Sequence, residues 1–288
     1  MAVRRRTYRP YSGPLTPVSA RFLVPFRYAL RNLIKSRLVA VYVVACLLVA
    51  LVFASVIYVS HSAALLALFH IGPRDASSLV DGRFFFHFIQ VELILAFILT
   101  AFAGPGLISP DLTNQALVLY LCRPFSRAEY VLGKFSVLAV LLSVITWIPG
   151  LILFVIQADL AGSDWGWENL WIARSIFLGS VIIILVYSAL ALALSAWFKR
   201  KLVAGGALLG VFFVGAGLGQ TINAVLGTHA GVLLELGRLI GKVELSLFRQ
   251  PADLGISPET AWIALLAVCV FCVYLLEHRI RAREVVRS

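Results

Sequence analysis

The sequence predicts an all-α integral membrane protein. It would have six transmembrane helices, both termini in the cytoplasm, an N-terminal amphipathic elbow helix and a cytoplasmic helix between spans 2 and 3. Three observations predict this. The 288 residues are 61% hydrophobic and only 14% charged, with a mean hydropathy of +0.94, whereas a soluble domain is about 45–50% apolar and about 25% charged. Six stretches reach the ~20 mainly apolar residues that a helix needs to cross a bilayer. Lys and Arg gather on alternate connections between those stretches.

In chain order, residues 1–19 form a basic tail, residues 20–277 a single transmembrane domain and residues 278–288 a second basic tail. The spans fall at about 38–60, 84–107, 131–156, 171–198, 202–226 and 260–277. The first apolar run, Leu38 to Ser60, exceeds the ~7–15 residues of a signal h-region, and no cleavable leader is visible. Before it, "ARFLVPFRYALRNLIKSR" (20–37) sets Arg27, Arg31 and Lys35 at i, i+4, i+8 beside a Phe26, Leu30 and Leu33 face. Such a basic amphipathic helix suits the plane of the membrane interface. It reads as an elbow anchoring the inner leaflet or as a plain topology anchor.

Residues 1–37 hold nine cations and no acid. The segment after span 2 holds Arg123, Arg127 and Lys134, the turn after span 4 holds Lys199, Arg200 and Lys201, and the tail holds Arg279, Arg281, Arg283 and Arg287. The opposite loops hold Arg74, Arg83, Arg238, Lys242 and Arg249, with Arg174 just inside a span. Positive charge marks the cytoplasmic side, so both tails and the segment after span 2 belong there. The net charge of +11 is thereby explained by lipid headgroups and orientation, and no nucleic-acid partner is expected.

The segment after span 2, "ISPDLTNQALVLYLCRPFSRAEYVLGKF" (108–135), is polar yet rich in helix signals. Ser109-Pro110-Asp111 reads as a helix start, with Ser as N-cap, Pro first and an acid in the first turn. Leu112, Ala116, Leu119 and Tyr120 would then share one face, with Asp111, Gln115 and Arg123 supplying polar contacts. Pro124 pushes Arg123 out of helical geometry, and Ser126-Arg127-Ala128-Glu129 matches a capping box that starts span 3 before the lipid.

The remaining chemistry is sparse. No Gly-x4-Gly-Lys-Ser/Thr phosphate loop and no His-Glu-x-x-His occurs, so no ATP hydrolysis and no metal site is expected in this chain. The four cysteines form no disulfide framework; Cys269 and Cys272 lie inside an apolar run. Glu92 is the acid well inside a span, where a carboxylate needs pairing, protonation or water. Arg174, Gln220 and Asn223 are its candidate partners. It reads as a pathway-facing group or as a structural bond between helices. Span 5 carries Gly206/Gly210 and Gly215/Gly219 at the spacing that permits close helix approach. "GVLLELGRLIGKVELSLF" (231–248) is amphipathic, and it would either line the outer mouth of a pathway or float on the outer leaflet.

The run Ser109 and Asp111, Leu119-Tyr120-Leu121, Arg123-Pro124-Phe125-Ser126-Arg127, Tyr130 and Gly133-Lys134 resembles the segment after span 2 in permease subunits of type-2 ABC transporters. The close match covers roughly 30 residues, and the six-span layout with its elbow helix extends it to the rest. The short loop at about 61–83 resembles the compact, exporter-like branch. The resemblance implies that 108–135 contains a coupling helix docking on a separate ABC ATP-binding subunit, which would bind ATP and Mg, with no cofactor in this chain. Asp111, Leu112, Gln115, Leu119, Tyr120, Arg123 and Arg127 would be the coupling residues. It implies a homodimer or a pair with a paralogous permease in a bacterial or archaeal cytoplasmic membrane. The pathway would run between the two permeases near spans 2 and 5, with Glu92, Gln220 and Asn223 as candidates. An amphiphilic or lipid-like substrate would be exported. The alternative is a membrane anchor or mechanotransmission subunit that moves a partner protein and transports nothing. An intramembrane enzyme lacks any acid–base, nucleophile or metal constellation.

Overall fold

A helix that is apolar on every face is stable only in a protein core or in lipid. The computed structural model describes residues 22–68, 72, 80–114, 126–227, 229–251 and 255–279. It contains six helical segments long and apolar enough to cross a membrane: Arg37–His61, Gly82–Thr113, Arg127–Ala161, Leu170–Trp197, Lys201–Leu226 and Pro258–Arg279. No strand occurs among the described residues. All six predicted spans are present.

In order, α1 (Leu23–Ile34) precedes α2 (Arg37–His61) and the short α3 (Ala63–Leu68). Span 2 consists of α4 (Gly82–Ala103) and α5 (Pro105–Thr113), and span 3 of α6 (Arg127–Ile145) and α7 (Trp147–Ala161). A short α8 (Ser163–Glu168) leads to α9 (Leu170–Trp197) and α10 (Lys201–Leu226). A 3-10 turn (Ala230–Leu234), α11 (Leu236–Leu247) and α12 (Pro258–Arg279) complete the described residues.

Caps explain why spans 2 and 3 start earlier than hydropathy alone places them. Asp81 Oδ1 accepts from the Arg83 and Phe84 amides at 2.8 and 3.1 Å. The expected capping box forms in full: Ser126 Oγ accepts from the Glu129 amide (3.2 Å) and Glu129 Oε2 from the Ser126 amide (2.6 Å). Two orphan donors are thereby satisfied before any lipid contact. Span 3 breaks at Thr146, because Pro149 lacks an N–H and its ring crowds the carbonyl four residues back. The Thr146 hydroxyl donates to the Leu142 carbonyl at 2.8 Å.

The helix start expected at Ser109-Pro110-Asp111 is corrected. The helix begins at Pro105, directly after the turn at Gly104, and both Ser109 and Pro110 lie inside it. Proline at the first helical position is already favoured, and Gly104 is required where it stands, since a Cβ there would sit 2.5 Å from the Ala191 Cβ. Ser109 is no N-cap; its Oγ donates toward the Ser195 and Phe198 carbonyls (2.9 and 2.7 Å). The helix ends at Thr113.

The hub of the bundle is α9. Of its most apolar window 78% is buried, against 17% for α2 and α10 and 22% for α12, so those three turn much of their surface outward. Its Ser195 hydroxyl accepts from the Ile108 and Ser109 amides (3.1 and 3.0 Å) and donates to the Pro105 carbonyl (3.0 Å). Serine side chains repair helices in this way where proline interrupts the backbone ladder within a membrane.

The amphipathic segment after span 5 does not float. Leu239, Ile240, Val243 and Phe248 have no exposed surface, and α11 packs against α4, α9, α10 and α12. The Gly215/Gly219 pair makes the close approach its spacing permits, but to the 3-10 turn: added Cβ atoms would lie 2.6 Å from the Leu234 carbonyl oxygen and 2.5 Å from that of Gly231. Gly206 and Gly210 face open space.

Candidate functional site

The base of the segment between spans 2 and 3 gathers the most polar chemistry that the motif residues make. Lys134 lies two turns into α6 and is 6% exposed, deep enough to require a counter-charge. Its Nζ lies 2.8 Å from Asp111 Oδ2 on α5. The Tyr130 hydroxyl, one turn earlier on the same helix face, donates to the same oxygen at 2.6 Å. The Tyr130 ring lies beneath the ammonium, 5.5 Å from centroid to Nζ. One carboxylate thus joins the end of span 2 to the start of span 3, and charge-assisted hydrogen bonds are the strong ones.

Three further contacts brace this joint. Gly133 lies against α1, where an added Cβ would meet the Phe22 carbonyl oxygen at 2.8 Å and Pro25 Cγ at 2.9 Å. Pro25 is buried, while Phe26, Ala29, Leu30 and Leu33 of α1 pack on the core and Arg27, Arg31 and Lys35 stay exposed. The Thr113 hydroxyl donates to the Lys199 carbonyl (2.8 Å) in the turn between α9 and α10. Arg279, at the end of α12, stacks over Trp197 at 5.6 Å. The basic stretches that the charge pattern assigns to one side therefore meet at one end of the bundle.

Of the expected coupling residues, Asp111 is engaged within the chain on Lys134 and Tyr130. Leu112 packs half-buried on the core, and Arg127 is exposed at the first position of α6. Gln115, Leu119, Tyr120 and Arg123 lie outside the described residues, as do Ala116, Pro124, Arg281, Arg283 and Arg287.

The pathway candidates separate. Glu92 is fully buried, and neither carboxylate oxygen has a hydrogen-bond partner. Its expected partners Arg174, Gln220 and Asn223 do not reach it. Its neighbours are Tyr42 and Cys46 of α2, with the Tyr42 hydroxyl donating to the Leu95 carbonyl at 3.0 Å. The side chain points into the interior of this chain because position 92 shares the face of Phe85, Phe88, Ile89, Ala96 and Leu99, all buried at helical spacing. Asn223 Oδ1 instead accepts from the Gly231 amide (2.8 Å) and holds the 3-10 turn. Gln220 is exposed on α10.

Glu244 was not singled out by sequence. It is fully buried on α11 and accepts from the Gln90 Nε2 of α4 at 2.5 Å. Burial pushes its carboxyl up to about 8. Its amphipathic helix hides it among charges that look solvated. Lys134 had a legible signal, a cation with Val131, Leu132, Phe135, Val137 and Leu138 around it; Ser195 had none. Among the described residues no cluster of His, Cys, Asp or Glu could hold a metal.

The family described as ABC-2 family transporter protein matches residues 26–235, from α1 through the 3-10 turn. No curated protein matches the chain. Six apolar spans together with that match make this the membrane component of an ABC transporter, the permease and not the ATPase. The chain belongs to the ABC-2 family of transporter proteins.

Proposed function

We propose that two copies of this permease, or one copy and a paralogous permease, enclose a substrate pathway and couple it to separate ATP-binding subunits. The coupling runs through the segment between spans 2 and 3, and the bundle end that gathers the basic stretches faces the cytoplasm. Export of an amphiphilic or lipid-like substrate is the direction that the resemblance favours.

The observation that carries this reading is the Asp111, Lys134 and Tyr130 joint. A push on a flexible loop dissipates in the loop. A segment whose ends are tied by a largely buried ion pair and braced on α1 and α9 moves spans 2 and 3 together. A coupling element needs that stiffness, because an effector must bias two discrete arrangements of a packed element to transmit anything.

The test uses the permease co-expressed with its ATP-binding subunit. Asp111→Asn should leave the subunits co-purifying but lower permease-dependent ATP hydrolysis by about tenfold, on the 1–3 kcal/mol scale of allosteric coupling. Lys134→Met should do the same, and the double variant should be no worse than either. Wild-type hydrolysis in both single variants would overturn the reading. Transport into sealed vesicles with and without ATP then separates a pathway from a purely mechanical subunit.

A further inference from the structure

A groove of about 630 Å³ runs between α6, α9 and α12. Its wall is apolar, with Leu132 and Phe135 of α6, Ala189 and Leu192 of α9, and Leu266 and Val273 of α12. Its two charged residues are Arg127, the first residue of α6, and Glu277, near the end of α12. Both sit at the bundle end that carries the basic stretches. Neither has a hydrogen-bond or ion-pair partner among the described residues.

We infer that this groove is a binding site for one phospholipid bearing a primary ammonium, of the phosphatidylethanolamine kind. Three arguments carry it. The first is length. From Glu277 to Leu266 a helix rises roughly 16 Å at 1.5 Å per residue, which matches the ~15 Å of one leaflet in a ~30 Å hydrocarbon core. An acyl chain entering at the charged end fills the groove to its tip. The second is shape: Leu132, Leu266 and Val273 of the lining are each more than half exposed, so the cleft is open along the flank of the spans and a chain can enter it from the bilayer. The third is charge complementarity. Arg127 presents the guanidinium fork that matches a phosphate, and the Glu277 carboxylate pairs most strongly with a cationic N–H donor. A phosphatidylethanolamine head supplies a phosphate for the first and N–H donors for the second. A phosphatidylglycerol head brings no cation to Glu277, and a phosphatidylcholine head brings a cation without N–H.

The site lies against the first two turns of α6, directly after the coupling segment. A lipid seated there ties α6 to α9 and α12. Which leaflet supplies it rests on the orientation proposed above; the selection of headgroup does not.

Native mass spectrometry of the full chain released from mild detergent tests the site. Dioleoyl phosphatidylethanolamine, phosphatidylglycerol and phosphatidylcholine are added in equal amounts. One phosphatidylethanolamine should be retained per chain, about tenfold over the other two, the scale of one charge-assisted hydrogen bond. Glu277→Gln should lose that preference while keeping a bound lipid, and Leu132→Trp, which fills the groove from an exposed position, should lose the retained lipid. Equal retention of the three lipids by the wild type overturns the inference, as does an unchanged preference in Glu277→Gln. Neither outcome depends on ATP, on the partner subunit or on transport, so the site and the coupling reading fail separately.

Discussion

Two buried carboxylates show how little a residue type says without its surroundings. Glu92 is conspicuous in sequence because its span is otherwise apolar, whereas Glu244 is camouflaged by Glu235, Arg238 and Lys242. In the fold both are fully buried, and it is Glu244 that finds a partner across helices, on Gln90. Burial raises its folded-state pKa from 4.5 to about 8. Between those values the folded protein holds a proton that the unfolded chain has released, so stability falls with rising pH. The contribution is whole below about 4.5 and is gone once the pH has passed about 8. Docking of α11 should therefore weaken from pH 5 to pH 9. Protection factors of the Leu236–Leu247 amides, with the intrinsic pH dependence of exchange divided out, should fall over that range in the wild type and stay nearly flat in Glu244→Gln. An equal fall in protection in both would assign the effect to another group.

At the scale of the element, glycine decides which surfaces may touch. Gly215 and Gly219 admit the 3-10 turn to the flank of α10, while Gly206 and Gly210 meet nothing among the described residues. Gly219→Ala should overpack that contact and cost about 1–3 kcal/mol. Gly210→Ala enters open space and should be neutral or slightly stabilising for the single chain, by up to ~1 kcal/mol of helix propensity. Thermal unfolding in detergent compares the two. The spans themselves were legible because hydropathy over ~20 residues is a long-range average that one residue barely moves. The Ser126 capping box was legible because it is a local pattern of two side chains. The Ser109-Pro110-Asp111 pattern misled for the same reason. Those residues are equally at home inside a helix that began at Pro105, and a serine on α9 nearly ninety positions away decides the matter. The clasp of Asp111 on Lys134 and Tyr130 was half-visible, with its members in the quoted motif but their meeting fixed only by folding.

The whole molecule is polarised between two differently built ends. One gathers α1, α5, the start of α6, the turn at 198–201 and the end of α12, held by an ion pair, stacking and side-chain bonds to carbonyls. The other is closed by α11 and the 3-10 turn, with Ser175 donating to the Leu247 carbonyl (2.7 Å), Arg83 to Gln250 (3.1 Å) and Arg249 stacked on Trp171 (4.8 Å). Between them α9 is nearly enclosed while α2 and α10 are mostly bare. Composition predicted six spans but not this inequality, because all six are similarly apolar; order of burial is a property of packing.

The joint at Asp111 and Lys134 has a consequence for how such permeases could be recombined. Its members stand on α5 and α6, and residues 115–125 link those two helices in sequence. Swapping that stretch for its counterpart from another permease should retarget the ATP-binding subunit that co-purifies, with the thermal midpoint of the recipient nearly unchanged. A chimera that keeps its original partner would place the address elsewhere on the chain. Modularity of this kind would let a lineage trade engines without redesigning the hull.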